Sequence, residues 1–254
     1  MSEPIQIKSF KGFYTAEFVR GGISFLNSKP IENAVYVIDS NIAVLYRDKL
    51  NNILNHCRVV LIDAIEENKD LDKFPAYVEQ LVNLQIRREQ PLVAVGGGII
   101  QDITCFLATT VMRGIPWIFY PTTLLAQSDS CIGSKSSINS SGTKNILGTF
   151  ASPDYIIIDI DFLKTLQEKD IHSGIGEMIK VHAINGPSSF DDISSQYENL
   201  LLNPEVMESF IYQSLLMKKK LIEVDEFDTG IRNVMNYGHS FGHAIETATD
   251  YSIP

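Results

Sequence analysis

Leu92-Val93-Ala94-Val95-Gly96-Gly97-Gly98-Ile99-Ile100-Gln101-Asp102 is the stretch that decides the fold. Its four leading apolar residues read as a strand buried on both faces, three glycines stop it, and the residues from Ile99 to Met112 resume with apolar positions at helical spacing. A buried strand that passes through glycine straight into a helix brings backbone N–H groups close to a ligand, as a phosphate cradle does. The spacing is not GxGxxG, and a tight strand-to-helix turn explains the same residues with no ligand at all.

Runs of the same kind lie on either side: Val35-Tyr36-Val37-Ile38, Val59-Val60-Leu61-Ile62, Trp117-Ile118-Phe119-Tyr120 and Tyr155-Ile156-Ile157-Ile158. Segments long enough for helices, such as Phe74 to Arg88, separate several of them. That alternation predicts a doubly wound α/β fold, a largely parallel sheet with helices on both faces. After Ile160 the strand pattern ends, and Phe162 to Asp250 carry apolar residues at helical spacing. An α/β domain over 1–160 and an α-helical domain over 161–254 are expected, with Asn185-Gly186-Pro187-Ser188-Ser189 a turn between two helices of the second.

The 254 residues include 21 Lys and Arg against 31 Asp and Glu, a formal charge of -10. Such a surface repels phosphate backbones and anionic lipid, which argues against nucleic acid and membrane partners, while a local cluster of cations still suits a small anionic substrate. Cys57, Cys105 and Cys131 are far apart, as reduced thiols are. Met1-Ser2-Glu3-Pro4 has no signal-peptide character and no apolar run is long enough to span a bilayer, so a cytoplasmic location is expected.

Two further segments carry chemistry. From Pro121 to Asn145 the chain is polar and too long for a mere connection, and Lys135, Lys144 and Asn145 offer donors to an oxyanion at the carboxyl end of a strand. A solvated surface loop is the plainer account. In Asn236-Tyr237-Gly238-His239-Ser240-Phe241-Gly242-His243 two imidazoles stand at i and i+4, and Glu177 on another predicted helix supplies a hard oxygen, a set that suits zinc with an open position. Core or capping roles suit His56, His172 and His182. Lys218-Lys219-Lys220 ahead of Glu223, Asp225, Glu226 and Asp228 reads as a solvated helix face, with Lys218 and Arg232 singled out only by their nearness to the histidine pair.

Taken together, Gly96-Gly97-Gly98 through Asp102, Met112-Arg113-Gly114-Ile115-Pro116, Pro121-Thr122-Thr123, Lys144-Asn145, Gly176-Glu177 to Lys180 and Asn236 to Glu246 resemble the 3-dehydroquinate synthases and the wider sugar-phosphate cyclase family, in the same order from about Asp39 onward. The resemblance implies a Rossmann-like NAD-binding domain and a metal-binding helical domain. It also implies a lyase that uses catalytic NAD and zinc, with cobalt as an alternative metal, to turn 3-deoxy-arabino-heptulosonate 7-phosphate into 3-dehydroquinate and phosphate. By resemblance, Glu177 and His239 are zinc ligands, and His243, Lys135, Lys180 and Asn145 are catalytic. Asp129, Lys218, Arg232 and Asn236 bind substrate, with Arg113 reaching the phosphate from the partner subunit of a homodimer. The implied cofactor residues are Asp39, Asn41, Glu66, Lys69, Gly97, Gly98, Asp102, Thr122, Thr123, Lys144, Phe162 and Thr165.

Three departures from the family pattern stand out. The third zinc ligand, a histidine, falls by motif spacing beyond Pro254, so this chain is expected to lack part of the helical domain and, ending there, to be inactive. Gly133-Ser134-Lys135-Ser136-Ser137-Ile138-Asn139 replaces Gly-Gly-Lys-Thr-Gly-Ile-Asn, and Gln101 replaces a glycine. Both substitutions are compatible with a cyclase for another sugar phosphate, of the valiolone or deoxy-scyllo-inosose type. Lys218, Arg232 and Asn236 argue for a carboxylate-bearing substrate. A glycerol-dehydrogenase-type enzyme and an inactive NAD-binding cyclase-like protein are the readings from other classes.

Overall fold

The computed structural model describes residues 2–249, without the side chains of His243, Glu246 and Thr247. The strands are β1 (Ile5–Ser9), β2 (Gly12–Val19), β3 (Val35–Asp39), β4 (Arg58–Ile62), β5 (Leu92–Gly96), β6 (Trp117–Pro121), β7 (Lys135–Ser140), β8 (Thr143–Phe150) and β9 (Tyr155–Asp159). The helices are α1 (Gly22–Ser28), α2 (Ser40–Leu45), α3 (Asn51–His56), α4 (Phe74–Asn83), α5 (Gly98–Thr110), α6 (Glu168–Asn185), α7 (Pro187–Ser195), α8 (Tyr197–Leu202), α9 (Pro204–Val224) and α10 (His239–Ala248).

Seven strands form one sheet in the order β1-β2-β9-β6-β5-β3-β4, parallel except for the β1–β2 pair. Side chains alternate across it. Val35 and Val37 of β3 and Leu92 and Ala94 of β5 face one apolar core, while Tyr36, Ile38, Val93 and Val95 face another with Ile23, Leu26, Ile42 and Ile53 of the first three helices. Burial on both faces explains why β5 is apolar throughout, and each large side chain so buried contributes about 1.5–3 kcal/mol. The first core runs on without a break from Phe119 and Ile156 of the sheet to Met178, Phe210 and Leu215 of the helices.

Because β4 and β5 flank β3 on opposite sides, the winding direction reverses between β3 and β5, and a crevice opens there at the carboxyl ends of the strands. After β9 the described residues form only helices and short 3-10 turns, and α6 gives way to α7 at Gly186-Pro187.

The structure differs from expectation in two segments. Helix α4 stops at Asn83 rather than Arg88, because Gln85 turns into the left-handed region at φ 55. The polar stretch after Pro121 is not a loop: it folds into a π-helical turn, Ala126–Ser130, followed by the β7–β8 hairpin, which packs on α5. Cys105 and Cys131 are buried, Cys57 is half-buried, and all three are free thiols.

Candidate functional site

Two cavities meet at Leu125, which lines both. The larger, about 620 Å³, occupies the crevice at the strand ends. Asp39 and Asn41 follow β3 into it, Gly97, Gly98 and Asp102 come from the β5–α5 turn, Thr122 and Thr123 from the end of β6, and Thr165 and Lys69 close the sides. A Cβ on Gly97 would sit 2.9 Å from Thr123 Cγ2 and would force that side chain to shift, whereas a Cβ at Gly98 would meet nothing within 4 Å and point into open space. The Asp39 carboxylate accepts the Asn41 N–H at 2.9 Å, and burial holds its pKa above the ordinary value.

Lys69 Nζ, itself buried, lies 2.8 Å from Asp102 Oδ2 and donates to Asn145 Oδ1 at 3.1 Å. Asp102 Oδ1 accepts the Ser137 N–H at 3.2 Å. Burial raises the Asp102 pKa, with the Lys69 ammonium opposing that rise. This network ties the glycine turn to the β7–β8 hairpin. It also uses Asn145, which therefore stands on the cleft side and does not line the second cavity.

Several residues implied as cofactor contacts sit elsewhere. Glu66 Oε1 accepts from Asn139 Nδ2 at 2.8 Å, so it pins the hairpin instead of lining the cleft. Lys144 is exposed on β8, and Phe162 is buried edge-on against the Tyr46 ring with centroids 5.2 Å apart, leaving only its carbonyl to accept from Thr165 Oγ1.

The second cavity, about 320 Å³, gathers residues from five segments: Asp129 and Ser130 of the π-helical turn, Lys135 at the start of β7, Glu177 and Lys180 of α6, Lys218 of α9, and Asp228, Arg232, Asn236 and His239 beyond it. Its cations are matched by acids. Lys218 Nζ lies 2.9 Å from Asp129 Oδ1 and donates to the Asp129 carbonyl at 2.6 Å, Lys180 Nζ lies 2.5 Å from Glu177 Oε1, and Lys135 pairs with Asp228. Burial, with Asp129 nearby, pushes the Glu177 pKa up against the pull of Lys180 and Lys218.

The loop after α9 corrects the reading of a solvated charge run. Lys218 is buried, Glu223 and Glu226 accept the backbone N–H groups of Lys8 and Phe10, and Asp228 faces the cavity. The Asp225 carboxylate takes the N–H groups of Thr229, Gly230 and Arg232 at 2.8–3.1 Å, which lowers its pKa to about 2 and aims Arg232 inward. Asp228, Ser130 and Leu125 were not legible as site residues, although an acid two places before Gly230, past the helix end, was a signal for the first.

The three serines of the departing loop do not face this cavity. Ser136 Oγ pairs with Thr149 Oγ1 at 2.7 Å, Ser137 Oγ donates to Asn145 Oδ1 at 2.8 Å, and Ser134 is buried. Neither Ser134 nor Ser137 adopts a left-handed φ, so replacing glycine there imposes no strain. Arg113, exposed and at φ 66 beside Met112 at φ 51, lines neither cavity.

For a divalent metal, the donors present are the Glu177 carboxylate and the His239 imidazole, whose Nε2 stands 3.1 Å from Lys180 Nζ. Both suit zinc chemically, and the ammonium that touches both marks a position built for positive charge. Among the described residues no group of three or more His, Cys, Asp and Glu side chains forms, and the side chain of His243 lies outside them. Among the described residues no helix is long and apolar enough to cross a membrane.

Residues 59–173 match the 3-dehydroquinate synthase N-terminal family and residues 174–254 the 3-dehydroquinate synthase C-terminal family. The chain is 37% identical over 235 residues to the 3-dehydroquinate synthase of Blochmanniella floridana, covering 91% of this chain and 65% of that protein. With the one from Natranaerobius thermophilus it shares 38% over 230 residues, covering 87% and 62%. It thus spans less than two thirds of the length of these relatives. Among solved structures, 2-deoxy-scyllo-inosose synthase complexed with carbaglucose-6-phosphate, NAD+ and Co2+ superposes with a TM-score of 0.83 at 23% identity, covering 99% of this chain and 72% of that one. The 2-epi-5-epi-valiolone synthase of Streptomyces hygroscopicus subsp. jinggangensis, with NAD+ and Zn2+ bound, gives 0.79 at 24%, covering 93% and 68%. At those identities the likeness is one of fold.

Proposed function

The chain belongs to the 3-dehydroquinate synthase family, and on that footing we propose that it serves a phosphate-eliminating cyclase that converts 3-deoxy-arabino-heptulosonate 7-phosphate to 3-dehydroquinate. The observation that supports this best is the contact of the two cavities at Leu125: a glycine-turn cleft of nucleotide size opens beside a pocket holding Lys135, Lys180, Lys218 and Arg232. An oxidisable carbon of an anionic substrate held by those cations would lie next to a nicotinamide ring in the cleft.

Gly97, Gly98, Thr122 and Thr123 would hold NAD, which supplies reversible hydride acceptance and so transient acidity at the neighbouring C–H. Glu177 and His239 would hold a divalent metal, which supplies Lewis acidity. The protein's own side chains do the rest. Lys218 and Arg232, both buried, fix a carboxylate, and Asn236 hydrogen-bonds a hydroxyl beside it. Lys180 and Lys135, each already paired with an acid, exchange that partner for the substrate's phosphate and stabilise its departure. His243 assists the proton transfers by resemblance. Arg113 serves the pocket of a neighbouring copy in a homodimer, which fits its absence from both cavities of its own chain. The α/β domain over 1–160 carries the cofactor and the helices over 161–254 the metal and most of the substrate contacts, in a cytoplasmic enzyme.

The test is phosphate release from 3-deoxy-arabino-heptulosonate 7-phosphate by the complete gene product with NAD+ and zinc, with NADH absorbance followed in parallel. Release without accumulating NADH is expected. Net NADH would place the protein with the alcohol dehydrogenases, and a folded, zinc-loaded protein that releases no phosphate would refute the assignment.

A further inference from the structure

Helix α5 and the π-helical turn Ala126–Ser130 are joined by a pair of reciprocal hydrogen bonds. Gln101 Nε2 donates to the Ser130 carbonyl at 2.6 Å, and Ser130 Oγ donates to Gln101 Oε1 at 2.6 Å. Gln101 is buried and Ser130 half-buried at the edge of the pocket, so the clamp is shielded at its α5 end. Each end of this clamp adjoins a residue of one cavity. Asp102, next to Gln101, lines the cleft, and Asp129, next to Ser130, holds Lys218 through both its carboxylate and its carbonyl.

A π-helical turn is held by fewer aligned bonds than an α-helix, here with Cys131 N–H donating to the Ala126 carbonyl at 3.0 Å, and its orientation depends on what it packs against. Gln101 supplies that support from the helix whose first turn would carry the cofactor. We propose that Gln101 is a positioning residue that links the two cavities. A ligand in the cleft that shifts or stiffens the first turn of α5 moves Asp129 and Lys218 with it, and so changes how tightly the pocket holds an anion. The inference rests on the functional reading above, since it takes NAD as the cleft ligand, but the link itself is a property of this chain's own side chains.

Calorimetry on the whole chain tests it, with inorganic phosphate as the pocket probe and NAD+ as the cleft ligand. In the unsubstituted protein, saturating NAD+ is expected to change the phosphate Kd by about fivefold or more. In Gln101→Ala that factor is expected to fall below about twofold, while the Kd of each ligand measured alone stays within about threefold of its original value. Ser130→Ala, which removes one bond and keeps the carbonyl, should give an intermediate factor and guards against a Gln101→Ala protein that fails to fold. Full linkage in both variants would overturn the inference and leave the functional reading intact, and so would equal loss of both separate affinities, the mark of a merely structural role. An unsubstituted chain that binds neither NAD+ nor phosphate would overturn both.

Discussion

The cleft at the end of β5 and the pocket beneath α9 share Leu125, yet they are built from different kinds of group. The cleft is mostly backbone and short side chains at the ends of parallel strands, with Lys69 and Asp102 as its one close ion pair among the described residues. The pocket is side chains brought from residues 129 to 239, with four cations set against three acids. Backbone at a strand end is fixed by the sheet. Charges gathered from afar are fixed by one another, and removing one leaves its partner buried and unmatched.

If that contrast is right, lesions in the pocket cost stability while lesions in the cleft cost affinity. Lys218→Ala strands Asp129 and is expected to destabilise the protein by about 3–5 kcal/mol in urea unfolding; a loss under about 1 kcal/mol would break the contrast. Lys69→Met probes the one place where the cleft resembles the pocket, with a loss of about 3 kcal/mol expected at neutral pH. Its sign with pH is distinctive. Asp102 already has a raised pKa, which loss of Lys69 raises further, so the folded state gains a proton before the unfolded state does and the deficit shrinks as pH falls from 7 toward 4.5. A deficit that grows in that range would show that Asp102 is not the group left stranded.

Gly97→Ala, by contrast, places a Cβ 2.9 Å from Thr123 Cγ2 and should weaken NAD+ binding about tenfold, roughly 1.4 kcal/mol. The phosphate affinity of the pocket in the absence of NAD+ should stay the same by calorimetry. The smallest effect is expected at the departing loop: Ser137→Gly loses its bond to Asn145 and should cost about 0.5–1 kcal/mol of thermal stability. A large change in sugar-phosphate selectivity there would return the serines to the substrate site.

The same contrast governs what the sequence made legible. The parallel strands β3, β4, β5, β6 and β9 announce themselves by short apolar runs, which burial on both faces demands outright in β5, and the glycine turn follows from β5 by local geometry. Strands β1 and β8 did not. Ile5-Gln6-Ile7-Lys8-Ser9 alternates buried and exposed over only five residues, and β8 is exposed almost throughout, so no apolar run marked it. In the pocket, Lys218 and Arg232 stand out by their nearness to the histidine pair and by resemblance, whereas Asp228 reads as a solvated acid because its role comes from Lys135, 93 residues earlier in the chain. Pairings at that distance leave no local periodicity to detect. Phe162 is legible only as a core aromatic, since its ring is buried and its carbonyl accepts from Thr165 Oγ1.

The sheet order has a consequence for the birth of the protein. Strand β2 pairs with β9, Thr15 opposite Tyr155, so β2 cannot dock on the sheet until the chain has been made through Asp159. At about 5–20 residues per second, the β1–β2 hairpin waits on the order of ten seconds with an unpaired edge and Ile5, Ile7, Ala16 and Phe18 uncovered. Closure of that edge is a high-contact-order event and should be the slow phase of refolding. During that wait nascent chains are most open to strand-to-strand association with one another, and a chaperone that shields Ile5 to Val19 would act on this protein before any of its site residues beyond β9 exist.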